Sequence, residues 1–83
     1  MNKKELNDFI KSLYRYNKPI IKGQYEKLGC KVTQYSYKKK VIDVTEDDKR
    51  VKCVIVWNDT LNTFRRDAKQ VYSIEELKKR LGL

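Results

Sequence analysis

The sequence predicts an α+β domain: an N-terminal helix, an antiparallel sheet or small barrel of four to five strands, and a C-terminal helix. Three observations predict it. Apolar residues recur at helical spacing from Leu6 to Tyr14. The stretch 20–57 is rich in Tyr, Val, Ile and Thr, which suit a pleated surface. Ser73-Ile74-Glu75-Glu76 is a capping signature that opens a last amphipathic run.

In chain order, residues 3–16 read as the first helix. Leu6, Phe9, Ile10, Leu13 and Tyr14 fall on one face. Asn2 is placed to cap it, with Glu5 three residues on. Asn17-Lys18-Pro19 ends it, because the residue before proline avoids the helical region. Ile20-Ile21 begins a short strand and Gly23 a turn. Tyr25 to Tyr37 is strand-like, with Gly29 read as a bulge. Lys38-Lys39-Lys40 is either a hairpin connection or the exposed part of a long strand.

Val41–Thr45 is the next strand, and Glu46–Arg50 a charged turn. Val51–Trp57 is the central strand. Val51, Cys53, Ile55 and Trp57 share one face and Val54 and Val56 the other, so burial on both sides is expected. Asn58-Asp59-Thr60 is a turn by composition. Leu61–Arg65 is a further strand with Phe64 inward, and Val71-Tyr72 pairs briefly. The final helix carries Ile74, Leu77 and Leu81 on one face. Lys78, Lys79 and Arg80 suit its C-terminal dipole, and Gly82 stops it.

The 83 residues form a single domain, 1–83, with room for one core. A core of this size supplies roughly 3–5 kcal/mol. No apolar run approaches the ~20 residues that span a bilayer, and the charged N-terminus is not a secretory signal. Cys30 and Cys53 lie far apart and form no CxxC motif, so reduced thiols in a cytoplasmic protein are expected, with a disulfide disfavoured. With no histidine present, a zinc site is not expected, and no cofactor is implied.

Charge is the most informative feature. The net charge is +9. Residues 1–42 hold eleven basic and three acidic groups, residues 43–83 nine and eight. One-sided excess of this kind attracts polyanions. A/T-rich codons also enrich Lys, Asn, Ile and Tyr, so composition alone permits the same excess without a binding role. Five of the six tyrosines accompany the basic half. Lysine and arginine neutralise phosphates, and aromatic faces stack on unpaired bases. The candidate nucleic-acid-binding residues are therefore Lys31, Tyr35, Tyr37, Lys38, Lys39, Lys40, Arg65 and Arg66. Tyr14 is expected to pack and Trp57 to lie in the core.

Catalysis has little support. There is no nucleophile elbow and no glycine-rich phosphate loop. The adjacent Glu46, Asp47 and Asp48 fit a solvated turn better than a general acid and base.

Residues 24–72 resemble a small SH3-like barrel of the Tudor or KOW kind. Val51–Thr60, a strand running into a polar turn, carries the resemblance. Phe64-Arg65-Arg66 follows as a return strand, then Ala68 and Val71-Tyr72 as the closing turn and strand. Such modules bind DNA, RNA, modified histone tails or other proteins. Asp59-Thr60 stands where they usually have Asp-Gly, and no aromatic cage can be assigned, so the resemblance transfers no site residue.

The expectation is a small basic nucleic-acid-binding accessory protein, bacterial or phage in character, not an enzyme and not membrane-bound. Its partner would be DNA, RNA or an acidic protein surface. The alternative is a phage-type inhibitor or adaptor, of the anti-CRISPR kind, that docks on a host protein or nucleoprotein complex.

Overall fold

The structure, a computed structural model, describes residues 1–59 and 67–83. Its elements are α1 (Lys3–Leu13), β1 (Ile21–Lys27), β2 (Cys30–Tyr37), β3 (Lys40–Glu46), β4 (Val51–Asn58), β5 (Lys69–Val71) and α2 (Ile74–Arg80). The strands form one antiparallel sheet in the order β1-β2-β3-β4-β5. Every strand pairs with its sequence neighbour. β1 and β5 are the two edges, and no pairing joins them among the described residues.

Both helices cover one face of this sheet. Leu6, Phe9 and Ile10 of α1 and Leu77 of α2 meet Ile42, Val44, Val54, Val56 and Val71 in a single apolar cluster. The reverse face carries Val32, Val41 and Trp57, all buried, and the buried carboxyl of Asp43. The two-sided burial expected of the central strand is therefore present. One of its residues changes side. Thr45 pairs with Cys53 and Glu46 with Val51, so Lys52 is an extra residue in the ladder. That bulge turns Val51 towards the helices.

α1 starts as expected: Asn2 Oδ1 accepts the Glu5 N–H at 2.7 Å. It stops at Leu13 rather than near 16, because Tyr14 leaves the helical region (φ −115°, ψ 59°) and donates its hydroxyl to the Ser36 carbonyl. Gly29 is not a bulge. Lys27 pairs with Cys30, making Leu28-Gly29 a two-residue hairpin loop with φ of 54° and 77°. Those are the signs a type I′ turn requires. Gly23 is not a turn but part of β1, at an irregularity in its pairing with β2.

At α2, Ser73 Oγ accepts the Glu76 N–H at 3.2 Å, and the Glu76 carboxylate reaches back to the Tyr72 N–H at 2.8 Å. The helix closes with paired bonds, Gly82 N–H to Lys79 O and Leu83 N–H to Lys78 O, over a left-handed Gly82. The Leu61–Arg65 strand, with Phe64, lies outside the described residues. No helix among the described residues is long and apolar enough to cross a membrane.

The turn between β3 and β4 is organised by one carboxylate. Asp47 Oδ1 accepts the N–H of Arg50 and of Lys49, each at 2.8 Å. These bonds, with Lys52 Nζ 3.3 Å away, lower its pKa to about 2. A carboxyl depressed on folding contributes stability that is complete above its unfolded value near 4 and is lost as pH falls towards 2. Asp47→Asn keeps an acceptor at Oδ1 but removes the titration. The fall in urea midpoint between about pH 4 and 2 should become shallower. An unchanged acid profile would refute this role.

Candidate nucleic-acid interface

One end of the sheet gathers segments that are distant in sequence. The α1–β1 connection is fastened there twice, by the Tyr14 hydroxyl on the Ser36 carbonyl and by the Ser36 N–H on the Ile20 carbonyl at 3.0 Å. The β2–β3 hairpin turns at Lys38-Lys39, since Tyr37 pairs with Lys40. The chain leaving β4 is tied to it by Asp59 N–H on the Lys39 carbonyl at 2.8 Å and by Lys40 Nζ on Asn58 Oδ1 at 2.6 Å. Lys22 at the start of β1 forms an ion pair with Asp59. Arg15, Lys18, Lys22, Lys38, Lys39 and Lys40 thus share this end.

Little acidic charge opposes them. Asp59 is engaged by Lys22. Asp67 accepts the Asn58 N–H and pairs with Arg80. Among the described residues, Arg15, Lys18, Lys38 and Lys39 have no carboxylate within ion-pairing distance. Their charges remain available to an external anion.

The aromatic part of the expected site sits differently. Tyr35 and Tyr37 do share a face, but it is the helix face, where both are half-buried against the core. The Tyr14 ring meets Tyr37 edge-on, with centroids 6.1 Å apart and planes at 81°. Lys38 Nζ lies 5.4 Å from the Tyr37 centroid, within cation–π range. Burial pushes the Tyr35 hydroxyl pKa up, helped by Glu46, and burial then Tyr37 and Tyr35 do the same for Tyr14. Among the described residues, the freely presented ring at this end is Tyr16, 89% exposed. Continued helical periodicity would place Tyr16 under α1, three residues beyond Leu13. The early helix stop leaves it outside.

Lys31 belongs elsewhere. It lies six residues before Tyr37 on β2, about 20 Å along the strand, between Glu26 and Glu46 on the neighbouring strands. Arg65 and Arg66 lie outside the described residues. Arg15, Lys18 and Lys22 were not singled out by sequence reasoning, because only the fold brings them beside the hairpin.

The opposite end is mixed in charge. Lys3, Glu26, Lys31, Glu46, Asp47 and Asp48 line a concavity of about 340 Å³ there. Among the described residues, no three Cys, Asp or Glu side chains are grouped to hold a metal ion. Both cysteines are free thiols on the reverse face. Burial, then the charge of Asp43, raises the pKa of Cys53, which disfavours its thiolate.

Compared with family models, curated proteins and solved structures, the chain matches none.

Lys38 carries a strained backbone as well as a charge. Its φ of 55° is left-handed without being glycine, which costs a non-glycine residue about 1 kcal/mol. Lys38→Gly should raise stability by roughly 0.5 kcal/mol, the relief being partly offset by a more flexible unfolded chain. The same change should weaken polyanion binding. Urea unfolding and anisotropy titration would show effects of opposite sign; a loss of both would mean that the lysine side chain holds the turn.

Proposed function

We propose that the chain is a small nucleic-acid-binding protein that grips the phosphate backbone with the basic end of its sheet. The observation that carries this is the convergence of Arg15, Lys18, Lys38 and Lys39 where the nearby Asp59 and Asp67 are already paired. Phosphate contacts of this type supply affinity without reading sequence. The Tudor/KOW resemblance of residues 24–72 implies a broad binding role, with DNA and RNA among the partners such modules take. Tyr16 offers one exposed face for a base, whereas Tyr35 and Tyr37 would have to leave the core to stack.

The test is a fluorescence anisotropy titration with single- and double-stranded oligonucleotides over a salt series. Four or five neutralised phosphates give a log–log slope of about −3 to −4.5. No binding at low salt, or binding indifferent to salt, would overturn the proposal.

The half-burial of Tyr35 and Tyr37 favours a second reading, an inhibitor or adaptor whose basic end covers an acidic protein surface. It leaves the site the same and changes the partner. Retention of a protein on the immobilised chain after nuclease treatment, with no oligonucleotide binding, would select it.

A further inference from the structure

The basic end of the sheet carries apolar surface as well as charge. The Asn17 N–H bonds the Tyr14 carbonyl at 3.1 Å, closing a turn with Arg15 and Tyr16 at its tip. Tyr16 is 89% exposed there, and Ile21, where the chain rejoins the sheet, is 53% exposed. Ile21 pairs with Tyr35, so it belongs to the helix face, the side on which Tyr14 and Tyr37 pack. Arg15 and Lys18, also exposed, neighbour the Tyr16 ring in sequence.

Tyr16 stands close to the hairpin lysines too. Two residues of chain place its backbone no more than about 7 Å from that of Tyr14. Tyr14 meets Tyr37 edge-on, with centroids 6.1 Å apart, and Lys38 Nζ lies 5.4 Å from the Tyr37 centroid. A solvent-facing ring is therefore set among cations from two segments: Arg15 and Lys18 in its own loop, and Lys38 across Tyr37.

This combination separates two forms of nucleic acid. Phosphate contacts alone favour the duplex, which carries one charge per about 1.7 Å of axis, twice the density of either strand. Its bases are stacked inside and present no free π-face. An unpaired base does present one, and it stacks on an aromatic side chain with little regard to sequence. The cations serve both forms; Tyr16 serves only the unpaired one. An anionic lipid surface also combines charge with apolar depth, but segments that bind it present a broad apolar face. Ile20 and Ile21 are successive residues entering β1 and turn to opposite faces, so only Ile21 joins Tyr16.

We propose that the basic end binds single-stranded nucleic acid in preference to duplex. Tyr16 is the stacking platform for one unpaired base, and Arg15, Lys18, Lys38 and Lys39 hold the flanking phosphates. This rests on the polyanion reading given above and narrows it to one substrate class.

Anisotropy titrations with an oligodeoxythymidylate of about 12 nucleotides and a mixed-sequence duplex of the same length test it. Tyr16→Ala should weaken single-strand binding roughly ten-fold. It should change duplex binding less than about two-fold and leave both salt slopes unaltered. Tyr16→Phe keeps the π-face and should hold the single-strand affinity within about two-fold. Tyr72→Ala removes an exposed ring next to β5, the opposite edge of the sheet, and should affect neither ligand. So exposed a residue as Tyr16 can be replaced without unfolding the chain, which circular dichroism verifies. Equal losses on both ligands, or no loss on the single strand, overturn the proposal and leave the phosphate grip standing. Absence of binding to either ligand overturns the phosphate grip and this inference with it. Tyr16-dependent sedimentation with phosphatidylserine vesicles, without Tyr16 dependence on the single strand, overturns the proposal in favour of a lipid surface.

Discussion

Replacing Leu77 by alanine should remove most of the chain's stability at 25 °C. Leu77 is completely buried and lies in the cluster that joins both helices to the sheet. Truncating a buried leucine costs about 2–5 kcal/mol, against a total stability of roughly 3–5 kcal/mol for a domain of this size. α2 has seven residues, too few to persist without its packing. Its Ser73 cap and its Gly82 closure hold the ends but cannot replace the apolar contact. Urea denaturation followed by far-ultraviolet circular dichroism should show the midpoint falling close to zero. Tyr72→Ala, at a site 68% exposed, should change stability by less than about 0.5 kcal/mol. A Leu77→Ala variant with near-native stability would mean that α2 is dispensable to the core.

The second large effect concerns binding. Changing Lys18, Lys38 and Lys39 together to glutamine should weaken oligonucleotide binding roughly 100-fold or more at about 0.1 M salt. It should also reduce the steepness of the salt dependence by about three phosphates' worth. Lys31→Gln is the control: at the far end of β2, it should alter affinity by less than about three-fold. Anisotropy over a salt series reads both quantities. Equal losses from Lys31 and from the three end lysines would show that total charge, not its placement, governs binding. The chain contains no histidine, the side chain that ordinarily titrates near neutrality. The affinity should therefore stay flat from about pH 6 to 7.5.

The fold was largely legible because several elements are specified locally. Ser73 and Gly82 mark α2 by capping chemistry, and the apolar run from Val51 to Trp57 marks the central strand by burial on two sides. The Leu28-Gly29 hairpin was missed because leucine occupies a position where asparagine or aspartate would announce the turn, so Gly29 resembled a bulge. The end of α1 was missed because a tertiary bond, Tyr14 to Ser36, overrides the helical period. The candidate site was legible only in part. The Lys38–Lys40 run is visible in one dimension, and its hairpin follows from the turn. The approach of Arg15, Lys18 and Lys22 depends on how the α1–β1 connection is fastened across β2. Lys31 looked near the hairpin in sequence, but an extended strand carries it to the opposite end.

The sequential meander has a consequence for how the chain is made. Each hairpin needs only a short loop closure, so pairing can follow synthesis strand by strand. The helix-facing side of the sheet, however, needs Leu77 and Leu81, and α2 follows every strand in the sequence. A nascent chain can therefore pair β1 to β4 while Ile42, Val44, Val54 and Val56 still lack the cover of α2. During that interval it presents a sticky apolar surface to chaperones and to other nascent chains, which is closed when residues 74–81 emerge.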